Sequence, residues 1–173
     1  MLQQDVAALC VSLNEAQAYA RVETGEEEAI LAGLLRVSSD LCEAFLNQAL
    51  MARPFTQVIT AGDGWTLLGV QPVRTITALR SRDDGVAVPA SDYRTDIDHD
   101  GRAFVSGLKA GSRYEVTGTA GMAAEANMVP EPVRQGILRL CAHLFANRDG
   151  PAGELPRAVT ALWRPYRRAG LCR

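Results

Sequence analysis

The hydrophobic period of this chain changes twice, and that double change restricts the folds open to it. Ile30, Leu34, Val37, Leu41 and Phe45 recur at helical spacing, and Leu31, Leu35, Cys42 and Leu46 widen the stripe beside them. The spacing predicts a long helix with a broad buried face. Met51-Ala52-Arg53-Pro54 is expected to end it, since proline cannot continue the hydrogen-bond ladder and pushes the preceding residue out of helical geometry. The middle third then turns to strand-like sequence. β-branched runs lie at 57–60 and 73–79, Tyr93, Thr95 and Ile97 alternate with Arg94, Asp96 and Asp98, and Tyr114 and Val116 alternate with Arg113, Glu115 and Thr117. Gly62-Asp63-Gly64, Asp83-Asp84-Gly85 and Asp100-Gly101 supply turns between these runs, which predicts an antiparallel meander.

Helical spacing returns after Val129-Pro130-Glu131-Pro132. Val133, Ile137, Leu140 and Leu144 form one stripe, and Leu138, Cys141 and Phe145 form a neighbouring one. A last short helix is expected from near Pro156, presenting Val159, Leu162, Trp163 and Tyr166, with Pro165 kinking or ending it. At the other end of the chain, Ser12 and Glu15 make a capping-box pattern that opens a short helix to about Arg21. Thr24 and Glu27 repeat the pattern, with Glu26, Glu27 and Glu28 in a first turn where they favour the positive end of the helix dipole. The expected fold is therefore α+β: N- and C-terminal amphipathic helices (12–50 and 129–168) packed as a small bundle, with an antiparallel β-meander lobe (about 54–121) inserted in a single domain of 173 residues.

The N-terminus lacks the basic and apolar regions of a secretory signal, and no apolar run approaches the roughly 20 residues of a membrane span, so cytoplasmic synthesis and no membrane partner are expected. Cys10, Cys42, Cys141 and Cys172 stand far apart without paired spacing and read as buried or idle thiols, Cys172 being the one placed for exposure and reactivity. Net charge is −2, but it is unevenly spread. Residues 1–43 carry eight acids against Arg21 and Arg36, whereas Arg157, Arg164, Arg167, Arg168 and Arg173 follow the last acid, Glu154. The basic end suits either an acidic partner surface or a solvated helix terminus.

Three motifs suggest chemistry. Asp96-Ile97-Asp98-His99-Asp100-Gly101 matches the first half of a calcium-binding EF-hand loop, but Gly107 stands where the bidentate Glu belongs and the flanking sequence alternates like a strand, so a hairpin turn is the expectation. Cys141 and His143 are two residues apart, which points them to different faces of a helix and disfavours a catalytic pair. The glycines fit neither the dinucleotide fingerprint nor the Walker spacing, and the acidic balance gives no support for a duplex-reading surface. No metal, cofactor or catalytic residue is expected.

Family information lies at both ends. Val129-Pro130-Glu131-Pro132-Val133-Arg134-Gln135-Gly136-Ile137-Leu138, then Ala142-His143-Leu144-Phe145-Ala146-Asn147-Arg148, Leu155-Pro156 and Ala161-Leu162-Trp163-Arg164-Pro165-Tyr166-Arg167, resemble the head-tail connector (adaptor) family of long-tailed phages and gene transfer agents, whose pattern runs PEPVRQAIL…AHLYENR…LP…ALLAPYR. The segment from Val11 to Val22 is similar to that family's N-terminal LSLEEAKAYLRV. Gly136 departs from the family's usual alanine, which either loosens the helix by about 1 kcal/mol or admits a close neighbour.

The resemblance implies a structural, non-enzymatic protein of the phage neck. Such adaptors form a ring beneath the portal, commonly of twelve copies, and bind stopper or tail-side proteins on the other face. DNA passes through without being read, and the protein, made in the host cytoplasm, ends in the particle at the head-tail interface. On this reading Trp163, Arg164, Tyr166, Arg167 and Arg168 bind the portal, unless Trp163 closes the protein's own core, and Glu26, Glu27 and Glu28 line the channel, unless they are simply an exposed first turn. The alternatives are another neck protein, a stopper or tail-completion factor, and a small metal-dependent or thiol enzyme built on Asp96–Asp100 or Cys141.

Overall fold

A computed structural model describes residues 8–22, 25, 27–147 and 154–168. The chain divides into two compact units, a helical one formed by 8–47 with 125–168 and a β unit formed by 48–124. The α+β class is as expected.

In the helical unit, α1 (Leu13–Ala20) opens with the anticipated capping box: the Ser12 hydroxyl accepts from the Glu15 N–H at 3.2 Å, and the Glu15 carboxylate accepts from the Ser12 N–H at 2.8 Å. Arg21, in the left-handed region at φ 56°, ends it. The second box falls on Thr24, outside the described residues. α2 (Glu27–Leu46) stops earlier than Pro54 implied. Asn47 takes a left-handed φ of 55° directly after Leu46, a common way for a helix to end, and Pro54 lies instead in an edge strand. α3 (Glu131–Ala146) starts after Pro130 with Pro132 in its first turn, where a missing N–H costs nothing. α4 (Arg157–Trp163) leads into a 3-10 turn, Arg164–Tyr166, that contains Pro165.

α2 packs on α3, α1 on both, and α4 on α3. The buried side of α2 is the row Leu31, Leu35, Ser38, Cys42 and Leu46, whereas Ile30, Val37 and Leu41 are exposed and Leu34 and Phe45 only partly covered. The expected broad buried face thus divides into a covered row and an open one, because the partners of α2 cover only part of its apolar arc.

Arg134 on α3 ties down the N-terminal segment. Its guanidinium donates to the Cys10 carbonyl at 3.0 Å and pairs with Glu131 at 3.0 Å and with Glu15. Only a planar, multiply donating cation spans three such acceptors.

The β unit holds β1 (Arg53–Thr60), β2 (Thr66–Leu67), β3 (Val73–Ser81), β4 (Arg94–Ile97), β5 (Ala103–Ser106) and β6 (Arg113–Ala120). All named pairings are antiparallel, but the order departs from a simple meander. One sheet runs β1-β6-β3 and the other β2-β5-β4. β6 takes the central place because its alternate residues, Tyr114, Val116, Gly118 and Ala120, are all buried, and at Gly118 a Cβ would collide with the Thr75 carbonyl on β3 and with the Phe55 ring. Phe55, Ile59, Leu79, Val105 and Val116 are the heart of this unit's core.

The Glu15 carboxyl is held below its ordinary 4.5, chiefly by the backbone and side-chain hydrogen bonds of Ser12 and less by Arg134. A depressed folded-state value contributes stability that is complete above 4.5 and is lost as pH falls through the depressed value. The gap in thermal stability between wild type and Glu15→Gln is therefore expected to close on acidification, and a gap independent of pH contradicts this role.

Candidate docking surfaces

The C-terminal cationic segment is positioned by a core residue. Trp163, expected as a surface anchor, is fully buried: its Nε1–H donates to the Val133 carbonyl at 3.1 Å, and its ring lies 5.7 Å from that of Phe45. It closes the protein's own core, the other reading weighed above, and is removed from the docking surface. The reason is Gly136, where a Cβ would run into the indole, so the departure from alanine makes room for the ring. The chain then meets the C-terminal end of α2. The Arg167 guanidinium sits 5.3 Å above the Phe45 ring, and the Arg168 N–H donates to the Leu46 carbonyl at 3.0 Å. Arg164 and Arg167 are exposed and Tyr166 and Arg168 partly so, which leaves three arginines to present charge beside the tyrosine. One Arg168 nitrogen, Nη1, is buried without a hydrogen-bond partner.

Of the acids at the start of α2, Glu27 is exposed and Glu28 partly so, while Glu26 lies outside the described residues. The structure brings Arg164, Tyr166, Arg167 and Arg168 into one segment, and Glu27 and Glu28 into one helical turn.

The EF-like segment is a hairpin turn between β4 and β5. Asp98 Oδ1 accepts from the N–H groups of Asp100 and Arg102 at 2.9 and 2.8 Å, and Oδ2 accepts from Arg102 Nε at 2.7 Å. Desolvation pushes the Asp98 carboxyl up, but the bonds from Arg102 and Asp100 and the Arg102 charge outweigh it and hold the group below its usual value. That carboxylate is committed to the turn. No group of three or more metal-ligating side chains assembles among the described residues.

Cys10, Cys42 and Cys141 are buried free thiols. Burial pushes Cys10 and Cys141 up to about 11 and Cys42 upward as well, so none is thiolate at neutral pH. Cys141 faces the core and His143 is exposed, on different faces of α3. Cys172 lies outside the described residues. No described helix is long and apolar enough to cross a membrane.

No protein-family model matches the chain, and no curated protein matches it. Solved structures do. The chain is similar to neck chains of gene transfer agent particles. One match, from the neck of an empty gene transfer agent particle computed with C6 symmetry, is 29% identical, covers 99% of this chain and 97% of that one, and has a TM-score of 0.76. A second, from the neck of a native particle computed with C12 symmetry, is 26% identical with the coverages 99% and 97% and TM-score 0.73. A third, from the virion of a native particle, is 28% identical over 96% and 95% of the two chains, again at 0.76. These likenesses support a structural neck protein of a phage-like particle.

Sequence reasoning overlooked Arg134, although the Ser12/Glu15 box and the Glu131-to-Arg134 spacing are both visible in the chain. In native protein, Cys10, Cys42 and Cys141 are expected to resist maleimide and to react once unfolded, as read by peptide mass; rapid native labelling at Cys141 would instead favour thiol chemistry.

Proposed function

We propose that this chain is a head-tail adaptor, forming a ring under the portal of a phage-like particle and linking it to the stopper or tail-side proteins while DNA passes through. The observation that carries the reading is the full-length likeness to neck chains, which spans both the helical and the β unit. The agreement of the N- and C-terminal motifs with the adaptor pattern supports it independently. A ring needs a repeated, complementary surface and no catalytic group.

In this proposal the portal meets Arg164, Tyr166, Arg167 and Arg168. The buried Trp163 holds that segment against α3, and the exposed guanidiniums pair with portal acids. Glu27 and Glu28, with Glu26, face the channel, where like charge keeps the DNA backbone from adhering. The protein is then made in the host cytoplasm and carried in the finished particle at the head-tail interface.

The test is to mix the protein with its cognate portal and measure the mass of the complex. A multiple of this chain on each portal ring is expected, and Arg164→Glu with Arg167→Glu is expected to weaken binding about tenfold or more without changing the melting temperature. Unchanged portal affinity in the double variant would refute the assigned contact. A ring found by electron microscopy only on the tail side of another neck protein would instead identify a stopper or tail-completion factor.

A further inference from the structure

Helix α2 carries two apolar rows, and the fold of this chain covers only one. At about 100° per residue, Leu31, Leu35, Cys42 and Leu46 point one way, into the helical unit. Arg36 and Asp40 stand far round the helix, and the partly buried Glu43 lies on one flank between them and the covered row. The other flank holds a row free of charge: Ile30, Leu34, Val37 and Leu41, backed by Gly33 and Ala44. Ile30 is 46% exposed, Val37 47% and Leu41 37%. Single exposed aliphatics are ordinary, but a continuous row about 16 Å long on a helix is not.

The row is not a ragged margin of the core. At its C-terminal end the chain closes it with its own groups, the Trp163 ring and the Arg167 guanidinium against Phe45, and the remainder is left open. At Gly33 the space where a Cβ would stand is empty, with no atom within 4 Å, so another backbone can approach closely there.

We propose that this row is the contact between neighbouring copies of the chain in the assembled neck. The inference rests on the ring reading above and names the surface that reading requires. DNA is a poor occupant because the row offers no cation to neutralise phosphate. A portal acid is equally poorly matched, since the row itself carries no cation and the exposed Arg36 stands outside it. A second copy fits. The similar neck chains occur in assemblies computed with sixfold and twelvefold symmetry, and a subunit in a cyclic ring touches a copy of itself on each side. Cyclic contacts are heterologous, so the row meets a different patch of the next copy. Tyr19 on α1 and Met128, 63% exposed just before α3, are the other exposed large hydrophobics of the described helical unit.

The test places a photo-crosslinking amino acid at Val37, and at Arg36 as the control, in necks assembled on the cognate portal. Position 37 is expected to give a ladder at multiples of the chain's own mass, with position 36 giving about tenfold less or lower. Val37→Asp is expected to keep the wild-type melting temperature while the copies retained per neck fall about tenfold or more. Links from position 37 only to a polypeptide of another mass, or none in necks that contain the chain, overturn the copy-to-copy contact and leave the ring reading standing. Absence of the wild-type chain from the neck overturns the ring reading itself.

Discussion

The seat of Trp163 on Gly136 governs the helical unit. The indole reaches α3 only because position 136 has no side chain, and once there it donates to the Val133 carbonyl and meets Phe45 of α2. One ring thus joins three helices, its own α4 to α3 and α2. Truncating a buried tryptophan typically costs about 3–5 kcal/mol, a large part of the stability of an ordinary domain. The same contact reverses the usual glycine argument. Replacing a helical glycine by alanine ordinarily stabilises by about 1 kcal/mol, but here the added carbon meets the face of a packed ring, and overpacking of that kind costs about 1–3 kcal/mol. The strain wins, all the more because the indole cannot move away without giving up its hydrogen bond.

The polar counterpart is Arg134, two residues before that glycine. Its three acceptors come from the segment before α1, from α1 itself and from its own helix, so a single side chain fastens the N-terminal helix to the C-terminal one across more than a hundred residues of intervening chain. Hydrophobic contact alone would hold α1 weakly, since Ala16 is its only buried residue. The guanidinium supplies direction where apolar area is scarce. Arg134 lies within a motif that resembles the adaptor family's, whereas Gly136 departs from that family's alanine and Trp163 stands where its ALLAPYR pattern has leucine, so the seat of the indole is a paired departure from the family pattern.

Local order was legible in the sequence, and pairing was not. The Ser12/Glu15 box, the start of α3 at its prolines and the turn at Asp100-Gly101 depend on neighbours within a few residues, and each stands where the pattern put it. Helix α2 ended before its proline because a left-handed Asn47 stopped it, and nothing in local propensity distinguishes an asparagine that stops a helix from one that continues it. β6 enters between β1 and β3 because its buried face and Gly118 suit two neighbours at once, a property of partners 33 to 67 residues away. The candidate site followed the same division. The cations after Trp163 were visible as charge, but the burial of Trp163 depends on a glycine in the preceding helix.

The facing of α2 is not legible in its period, and the cause is physical. Period reports which residues share a side of a helix; it does not report what covers that side. Ile30, Val37 and Leu41 obey the helical period as well as Leu31, Leu35 and Leu46 do, and both rows belong to one wide apolar arc. In a monomer such an arc would be half wasted, exposing aliphatic surface to water with no gain. In a subunit whose working form is one member of a closed ring, the second half has a use, because a face left open by the fold is the one available to another chain. On the proposed ring reading, the width of the arc is information about assembly carried in the same letters that specify the core, and exposure in the folded chain is what separates the two.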